Sequence, residues 1–293
     1  MKKFFLSCLF FLLGISGVQM LHAGNEVYTC FNQDTGILTY YYDDQRASRF
    51  GKVELYDPIS RPEGPRFVTY SDKVTKIVLD PSMKNVKLTN MQCMFFGGQQ
   101  EYNASIFYPL KSVTAIEGME YLNTEEAINM MEMFSALESL QSIDLSHFNT
   151  DKVKYMAYMF DYCMSLESID VNSFNINNVQ LSTGMFKGCK ALKTIYCEND
   201  WTKLVDGRDM FLDCTSLVGD QGSSYSTYKV TNSSFAHLDG GSSNPGYFSK
   251  KNEEAIKNVG QEPKANSQKL IRDGQLLIER NGKIYNATGV EVK

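Results

Sequence analysis

One short phrase recurs four times in the second half of the chain, and its spacing constrains the fold more than any other feature. Successive copies begin 26, 26 and 25 residues apart: Met133-Phe134, Met159-Phe160, Met185-Phe186 and Met210-Phe211. An apolar residue follows each copy at the same offset, as Leu140, Leu166, Leu192 and Leu217. A fixed period of roughly 20 to 50 residues indicates structural repeats that pack against their neighbours in sequence order. The chain is therefore predicted to be a stacked-repeat protein.

The second copy shows how one unit is expected to fold. Leu166-x-x-Ile169-x-Val171 has the form of a leucine-rich repeat, with Ile169 and Val171 alternating as a short strand and Asp170 facing outward. Val153, Met156 and Met159 step by three, which favours a short helical turn on the opposite side. We therefore predict a β-rich α/β solenoid of 25–26-residue leucine-rich repeats, with the short strands in a parallel ladder.

The N-terminus predicts export. Lys2-Lys3 precede an apolar run from Phe4 to Val18, and Ala23 offers a small residue for cleavage. Glycines interrupt the run before it reaches the roughly 20 apolar residues of a membrane span, so the mature chain should begin at Gly24 without one. The expected location is the cell surface, the outer envelope or the extracellular space. Net charge is −5 with both signs mixed along the chain, so nucleic acid is not an expected partner.

Patterning divides the rest of the chain into four parts after the signal peptide (1–23). Strand-like runs at 28–31, 37–42 and 53–56 predict an N-terminal β cap over residues 24–75. Strand-like runs at 75–80 and 113–119 lead into the solenoid, which with its closing coil spans residues 76–249. The charged stretch 250–268 is interpreted as a linker. Alternation around Asn281-Gly282 predicts a C-terminal β-hairpin tail over residues 269–293, because Asn-Gly favours a tight hairpin turn.

Six cysteines remain once the signal is removed: Cys30, Cys93, Cys163, Cys189, Cys197 and Cys214. An even count in an exported chain is typical of disulfides. Cys163, Cys189 and Cys214, however, share the repeat position that Leu137 holds in the first copy. Because free cysteine behaves as a small apolar residue, a buried column of thiols is the preferred interpretation, with bridges or a metal site as the alternatives.

The residues quoted so far also carry a family resemblance. The core from Met159 to Val171, the approach from Phe148 to Phe160 and the ending Asn244-Pro245-Gly246-Tyr247-Phe248 resemble the BspA-like leucine-rich-repeat family of bacterial surface proteins, common in the Bacteroides group. The resemblance covers about residues 26–249 and implies export, a solenoid fold and adhesion to host or bacterial surfaces. It implies no catalytic residues. The first copy departs from the pattern, with Ala136-Leu137 in place of Gly-Cys.

Little in the sequence points to catalysis. His147 and His237 are single histidines in predicted turns, and no phosphate-binding loop, nucleophile elbow or zinc-protease motif occurs. Asp144 and Asp170 are expected to lie side by side, where a cation is a weaker alternative to ordinary turn hydrogen bonds. We therefore expect a protein that is not an enzyme and uses no cofactor or metal.

The expected function is protein–protein interaction or adhesion. Stacking aligns equivalent residues, so the outward positions Glu167, Asp170, Lys193 and Tyr196 should form one patch, here named the strand patch. A host or bacterial surface protein or matrix component is the expected partner.

Three alternatives remain open. An enzyme site within residues 24–110 would require a well-formed pocket with convergent polar groups there. A structural envelope protein would show no exposed aromatic or apolar patch. A carbohydrate-binding module would show an exposed aromatic platform, for which the candidates are Tyr40, Tyr41, Tyr42, Tyr56 and Tyr70.

Overall fold

The computed structural model describes residues 24–56, 71–96, 101–102, 105–106, 110–226, 231–251, 267–272, 275–280, 283–286 and 291–292. The predicted signal peptide, Tyr70 and most of the predicted linker lie outside these residues. The chain divides into a compact unit that ends at Phe248 and a second unit, Ser249–Lys293.

The described residues form fourteen strands and six short 3₁₀ turns. The strands are β1 Glu26–Asn32, β2 Ile37–Asp43, β3 Lys52–Leu55, β4 Lys76–Leu79, β5 Glu101–Tyr102, β6 Ser105–Ile106, β7 Ala115–Glu117, β8 Ser168–Asp170, β9 Thr194–Tyr196, β10 Phe248–Ser249, β11 Ser267–Arg272, β12 Gln275–Arg280, β13 Lys283–Asn286 and β14 Glu291–Val292. The 3₁₀ turns are Arg46–Ser48, Ser71–Lys73, Pro81–Asn85, Met119–Tyr121, Ser233–Phe235 and Gly241–Ser243.

A five-stranded sheet opens the first unit, in the order β3-β1-β2-β4-β7. Strands β1 and β2 pair antiparallel, whereas β2, β4 and β7 run parallel to one another. Alternation in β2 turns Leu38 and Tyr40 into the core, where both are fully buried. Strands occur at all five places where the sequence indicated them before the first Met-Phe copy, so these predictions are confirmed.

Backbone hydrogen bonds join each Met-Phe copy to the next. Met130 N–H donates to the Tyr155 carbonyl at 2.8 Å, and one copy later Met156 N–H donates to Leu181 at 2.8 Å. The phenylalanines continue the pattern, since Phe160 N–H donates to the Met185 carbonyl at 2.9 Å. The copies therefore pack side by side in the register that the period predicts.

Two columns of stacked rings fill the space between the copies. Phe160 lies between Phe134 at 5.3 Å and Phe186 at 5.6 Å, measured between ring centroids, with planes within 6° of parallel. The first column consists of Phe95, Phe134, Phe160, Phe186 and Phe211. The second column consists of Phe148, Phe174 and Trp201. Buried aromatic rings contribute large apolar areas, so these columns are the main source of stability in the repeats.

One copy escaped the sequence interpretation. Met94-Phe95 lies 39 residues before Met133-Phe134, outside the regular period, yet Phe95 N–H donates to the Met133 carbonyl at 2.9 Å. Asn90 and Asn129 form a parallel bridge in the same region. The signal was present as the dipeptide itself, and an insertion before Met133 hid the period.

The predicted α/β solenoid of leucine-rich repeats is wrong. The described residues contain no α-helix, and within the four regular copies only β8 and β9 are strands, of three residues each. The strands belong to separate sheets and form no continuous parallel ladder. The predicted helical turn fails because Tyr158 and Tyr162 adopt left-handed backbone angles, with φ of 57° and 53°, which interrupt a right-handed turn around Met159.

A single carboxylate organises the closing coil. Asp239 accepts hydrogen bonds from the N–H groups of Gln221, Ser223, Gly241 and Gly246 and from the Ser223 hydroxyl, at 2.6–3.3 Å. These contacts tie the segment before β10 to the turn that follows Leu217. The coil brings Tyr247 and Phe248, both fully buried, to the end of the repeats.

The second unit contains a four-stranded antiparallel sheet in the order β11-β12-β13-β14. The hairpin pair β12 and β13 lies where the alternation placed it, with Arg280 opposite Lys283. Strand β11, which begins at Ser267, was not expected and extends the hairpin on the other side of β12.

Candidate functional site

Strands β8 and β9 build the surface on which the strand patch lies. They pair in parallel, with Ile169 opposite Ile195. Both isoleucines point into the core and are almost fully buried, as is Leu166 just before β8. Because side chains alternate along a strand, the residues on either side of each isoleucine point away from the core. The predicted burial and parallel pairing of these two copies are confirmed.

An ion pair marks the beginning of the patch. Lys193 Nζ lies 3.0 Å from Glu167 Oε2, with 62% and 65% of the two side chains exposed. The backbone supports this contact, because Lys193 N–H donates to the Glu167 carbonyl at 2.9 Å. An exposed pair of this kind contributes ~0–1 kcal/mol to stability, so its two charges remain accessible to a partner.

Asp170 and Tyr196 form the other end of the patch. They lie directly opposite each other in the parallel register of β8 and β9, and both are partly exposed. Asp170 Oδ1 accepts from the N–H and the side-chain amide of Asn172 at 3.0 and 3.1 Å, which fixes the carboxylate. The structure therefore brings all four predicted residues together on one two-stranded surface. A phenol ring beside fixed charges of both signs can bind a polar protein surface.

The two aspartates considered as a cation site serve their own turns. Asp144 Oδ1 accepts from Ser146 N–H at 2.9 Å, in the same way that Asp170 accepts from Asn172. No group of three or more potential metal-ligating side chains occurs among the residues that the structure describes. His147 is exposed, and His237 Nδ1 lies 2.8 Å from the Leu238 carbonyl oxygen.

The thiol column has structural partners. Cys163, Cys189 and Cys214 are fully buried and free, and each sulfur donates to the carbonyl of a phenylalanine in the preceding copy at 2.9–3.1 Å. Burial raises the pKa of the Cys214 thiol to about 12 and raises that of Cys163 as well. These thiols are therefore poor nucleophiles, since the thiolate is the reactive form.

A second cluster of ionisable groups was not expected from the sequence. Glu132 and Asp161 come from adjacent copies and influence each other electrostatically, and Cys93 Sγ lies 3.7 Å from Glu132 Oε2. Burial raises the pKa of the Asp161 carboxyl to about 7, with the charge of Glu132 adding to the effect and Ser135 and Lys187 opposing it. The signal that could have revealed this cluster is positional, because Ser135, Asp161 and Lys187 occupy one repeat position.

The tyrosines proposed as a sugar platform are largely used in packing. Tyr40 and Tyr56 are buried, and Tyr41 and Tyr42 are partly buried. Tyr41 stacks on Tyr28 at 5.4 Å. Tyr70 lies outside the described residues. These side chains therefore do not form the platform that was expected.

Comparison with known proteins corrects the family assignment. The family described as "Mycoplasma protein of unknown function, DUF285" matches residues 74–199 and 104–225, which together cover more than half of the 293 residues. This match overturns the predicted membership in the BspA-like leucine-rich-repeat family. No curated protein and no solved structure gives a significant match. In the described part of the chain, no helix has the length and apolar character needed to cross a membrane.

Proposed function

Since the chain belongs to the family described as "Mycoplasma protein of unknown function, DUF285", which names no activity, we propose a function from its surface chemistry. The protein is an exported, non-catalytic binding protein that mediates adhesion. It recognises a host or bacterial surface protein, or a matrix component, through the strand patch of Glu167, Asp170, Lys193 and Tyr196.

One observation carries the proposal, namely the placement of these four side chains on two paired strands. Glu167 and Lys193 are held together at 3.0 Å, and Asp170 lies opposite Tyr196 in register. The strands rest on the buried residues Ile169 and Ile195, so the patch sits on a rigid base. Little conformational freedom is lost when a partner binds such a surface, which favours affinity.

The chemistry of the patch suits a protein partner. Aromatic residues surrounded by polar groups are the usual energetic centres of protein interfaces. Tyr196 supplies the ring, and the carboxylates and the ammonium group around it supply orientation. The residue types that might otherwise suggest catalysis have structural roles, since the buried thiols donate to backbone carbonyls and Asp239 holds the closing coil.

Export belongs to the same proposal. It rests on the basic residues Lys2-Lys3 and the apolar run up to Val18, which lie outside the described residues. Adhesion requires that the patch be displayed outside the cell, and a cleaved signal would achieve this.

The test uses the mature chain on an array of purified matrix proteins and bacterial surface proteins. Tyr196→Ala, Glu167→Lys and Lys193→Glu should each weaken binding to the captured protein without changing the melting temperature. The matched control is the ion pair Lys152–Glu126, which also joins residues 26 apart at 2.7 Å but lies at another repeat position.

Reversing either charge of the control pair should leave binding intact. Equal loss in the control and patch variants would contradict the proposal, as would binding that survives every patch variant. A structural envelope role would give no binding to any protein on the array.

A further inference from the structure

The loop between the 3₁₀ turn Arg46–Ser48 and β3 presents an aromatic ring to solvent. Phe50 is 92% exposed, more than any other large apolar side chain in the described part of the chain. The next most exposed is Val205, at 61%. An exposed ring is common on protein surfaces, so its meaning depends on how it is held and on what surrounds it.

The backbone around Phe50 is fixed from two sides. Cys30 Sγ in β1 donates to the Phe50 carbonyl at 2.8 Å. Gly51 has a φ of 111°, and a Cβ atom added there would lie 2.3 Å from the Phe31 carbonyl oxygen. Only glycine allows the loop to lie this close to β1. The ring is therefore held in place by the loop behind it and is not the end of a mobile segment.

The neighbouring cation is already neutralised. Arg49 Nη2 lies 2.6 Å from Asp43 Oδ2, and Arg49 Nε donates to the Tyr28 hydroxyl at 3.1 Å. The guanidinium also lies 3.9 Å from the centre of the Tyr41 ring. These contacts occupy the charge of Arg49, so this surface does not offer an uncompensated cation to an anionic ligand.

Two open cavities meet at Phe50. One has a volume of about 430 Å³ and lies on the outward face of β1 and β2, where Asn32, Thr35, Thr39 and Ser48 supply neutral polar groups. The other has a volume of about 380 Å³ and is lined by Gln33, Asp34 and Lys52 among others. Asn32 and Phe50 border both cavities. Volumes of this size suit a small ligand or a few linked sugar residues.

We propose that the surface around Phe50 is a binding site for neutral oligosaccharides. The exposed ring can stack on the apolar C–H face of a pyranose, which buries both surfaces from water. Hydroxyl and amide groups of Thr39, Ser48 and Asn32 can exchange hydrogen bonds with sugar hydroxyls on either side of the ring. The site is separate from the strand patch and does not depend on the function proposed for it.

The experiment measures binding of the mature chain to an array of neutral and acidic oligosaccharides, followed by titration of the tightest neutral ligand. Phe50→Ala should reduce its affinity by about tenfold or more, as expected when an anchoring aromatic ring is lost. The melting temperature should not change, because the removed ring is in solvent. Gly51→Ala should also weaken binding, because it displaces the loop.

Val205→Ala is the control, since it removes an exposed apolar side chain elsewhere and should leave the affinity unchanged. Tyr196→Ala should likewise leave sugar binding unchanged, which separates this site from the strand patch. Binding confined to acidic sugars, binding of no sugar on the array, or equal affinity in Phe50→Ala would each overturn the proposal.

Discussion

Tyr247 closes the first ring column by packing edge-to-face on Phe211, with ring centroids 5.2 Å apart and planes 80° from each other. Rings inside the column lie nearly parallel, as Phe186 and Phe211 do at 4°. The next residue, Phe248, closes the second column in the same way, at 88° to Trp201. A perpendicular ring covers the face that would otherwise accept another copy, so this dipeptide ends the repeats.

Removing the terminal ring should destabilise the whole first unit. Tyr247→Ala leaves a cavity at the end of a buried column and should lower the free energy of unfolding by about 3–5 kcal/mol. Tyr247→Phe retains the ring and is the matched control. Chemical denaturation of both variants provides the measurement, and equal stability of Tyr247→Ala and wild type would show that the column does not need this closure.

Asp239 should control the acid stability of the closing coil. Burial alone would raise the pKa of its carboxyl, but hydrogen bonds from the Ser223 side chain and from several backbone N–H groups outweigh burial and hold the pKa at about 2. The stabilisation is therefore complete above the ordinary value of 3.8 and is lost as pH falls toward 2.

Asp239→Asn should lower the free energy of unfolding at neutral pH by at least about 2 kcal/mol, because buried donors lose an ionised acceptor. Asp220→Asn, at an exposed aspartate nearby, is the control. Thermal unfolding followed from pH 7 to pH 2 should show the difference between the two variants shrinking in acid. A constant difference would refute the role assigned to the Asp239 charge.

Asp161 should act in the opposite direction. Its pKa is raised to about 7, mainly by burial, so the folded state holds a proton that the unfolded state releases near 3.8. Stability should therefore fall as pH rises between these two values. Asp161→Asn should flatten this dependence and should be more stable than wild type at pH 8. Identical pH profiles for the two proteins would exclude a buried, protonated Asp161.

The thiol column should be silent toward alkylating reagents in the folded protein. Cys163, Cys189 and Cys214 have no solvent-accessible surface, and burial raises the pKa of each. Mass spectrometry should find the three side chains unmodified after treatment of native protein and fully modified after denaturation. A disulfide at any of the three positions would contradict the column, as would rapid labelling of the native state.

Positional identity explains what the sequence predicted correctly. Residues 26 apart occupy equivalent sites, so the equal burial of Leu166 and Leu192 and the meeting of Glu167 with Lys193 both follow from the period. The strand patch could be predicted for the same reason, because register follows once equivalent copies pack side by side.

Backbone conformation explains what was missed. Left-handed angles at Tyr158 and Tyr162 leave no mark in those two residues, because tyrosine gives no sign of positive φ. The equivalent positions of the next copy hold Gly184 and Gly188, also with positive φ, and these glycines were the available hint. Phe50 could not be predicted as a site either, since it belongs to no repeat and its exposure depends on contacts made by Cys30 and Gly51.

Contact between the strand patch and a partner is the central claim, and site-specific photo-crosslinking tests it most directly. A photoreactive benzoyl-phenylalanine would replace Tyr196 in one protein and Tyr155, a partly exposed tyrosine at another repeat position, in a second. Each protein would be irradiated while bound to the partner captured on the array. We expect a covalent adduct from position 196 and none from position 155. An adduct from position 155 with none from position 196 would show that the partner binds another surface and that the proposed site is wrong.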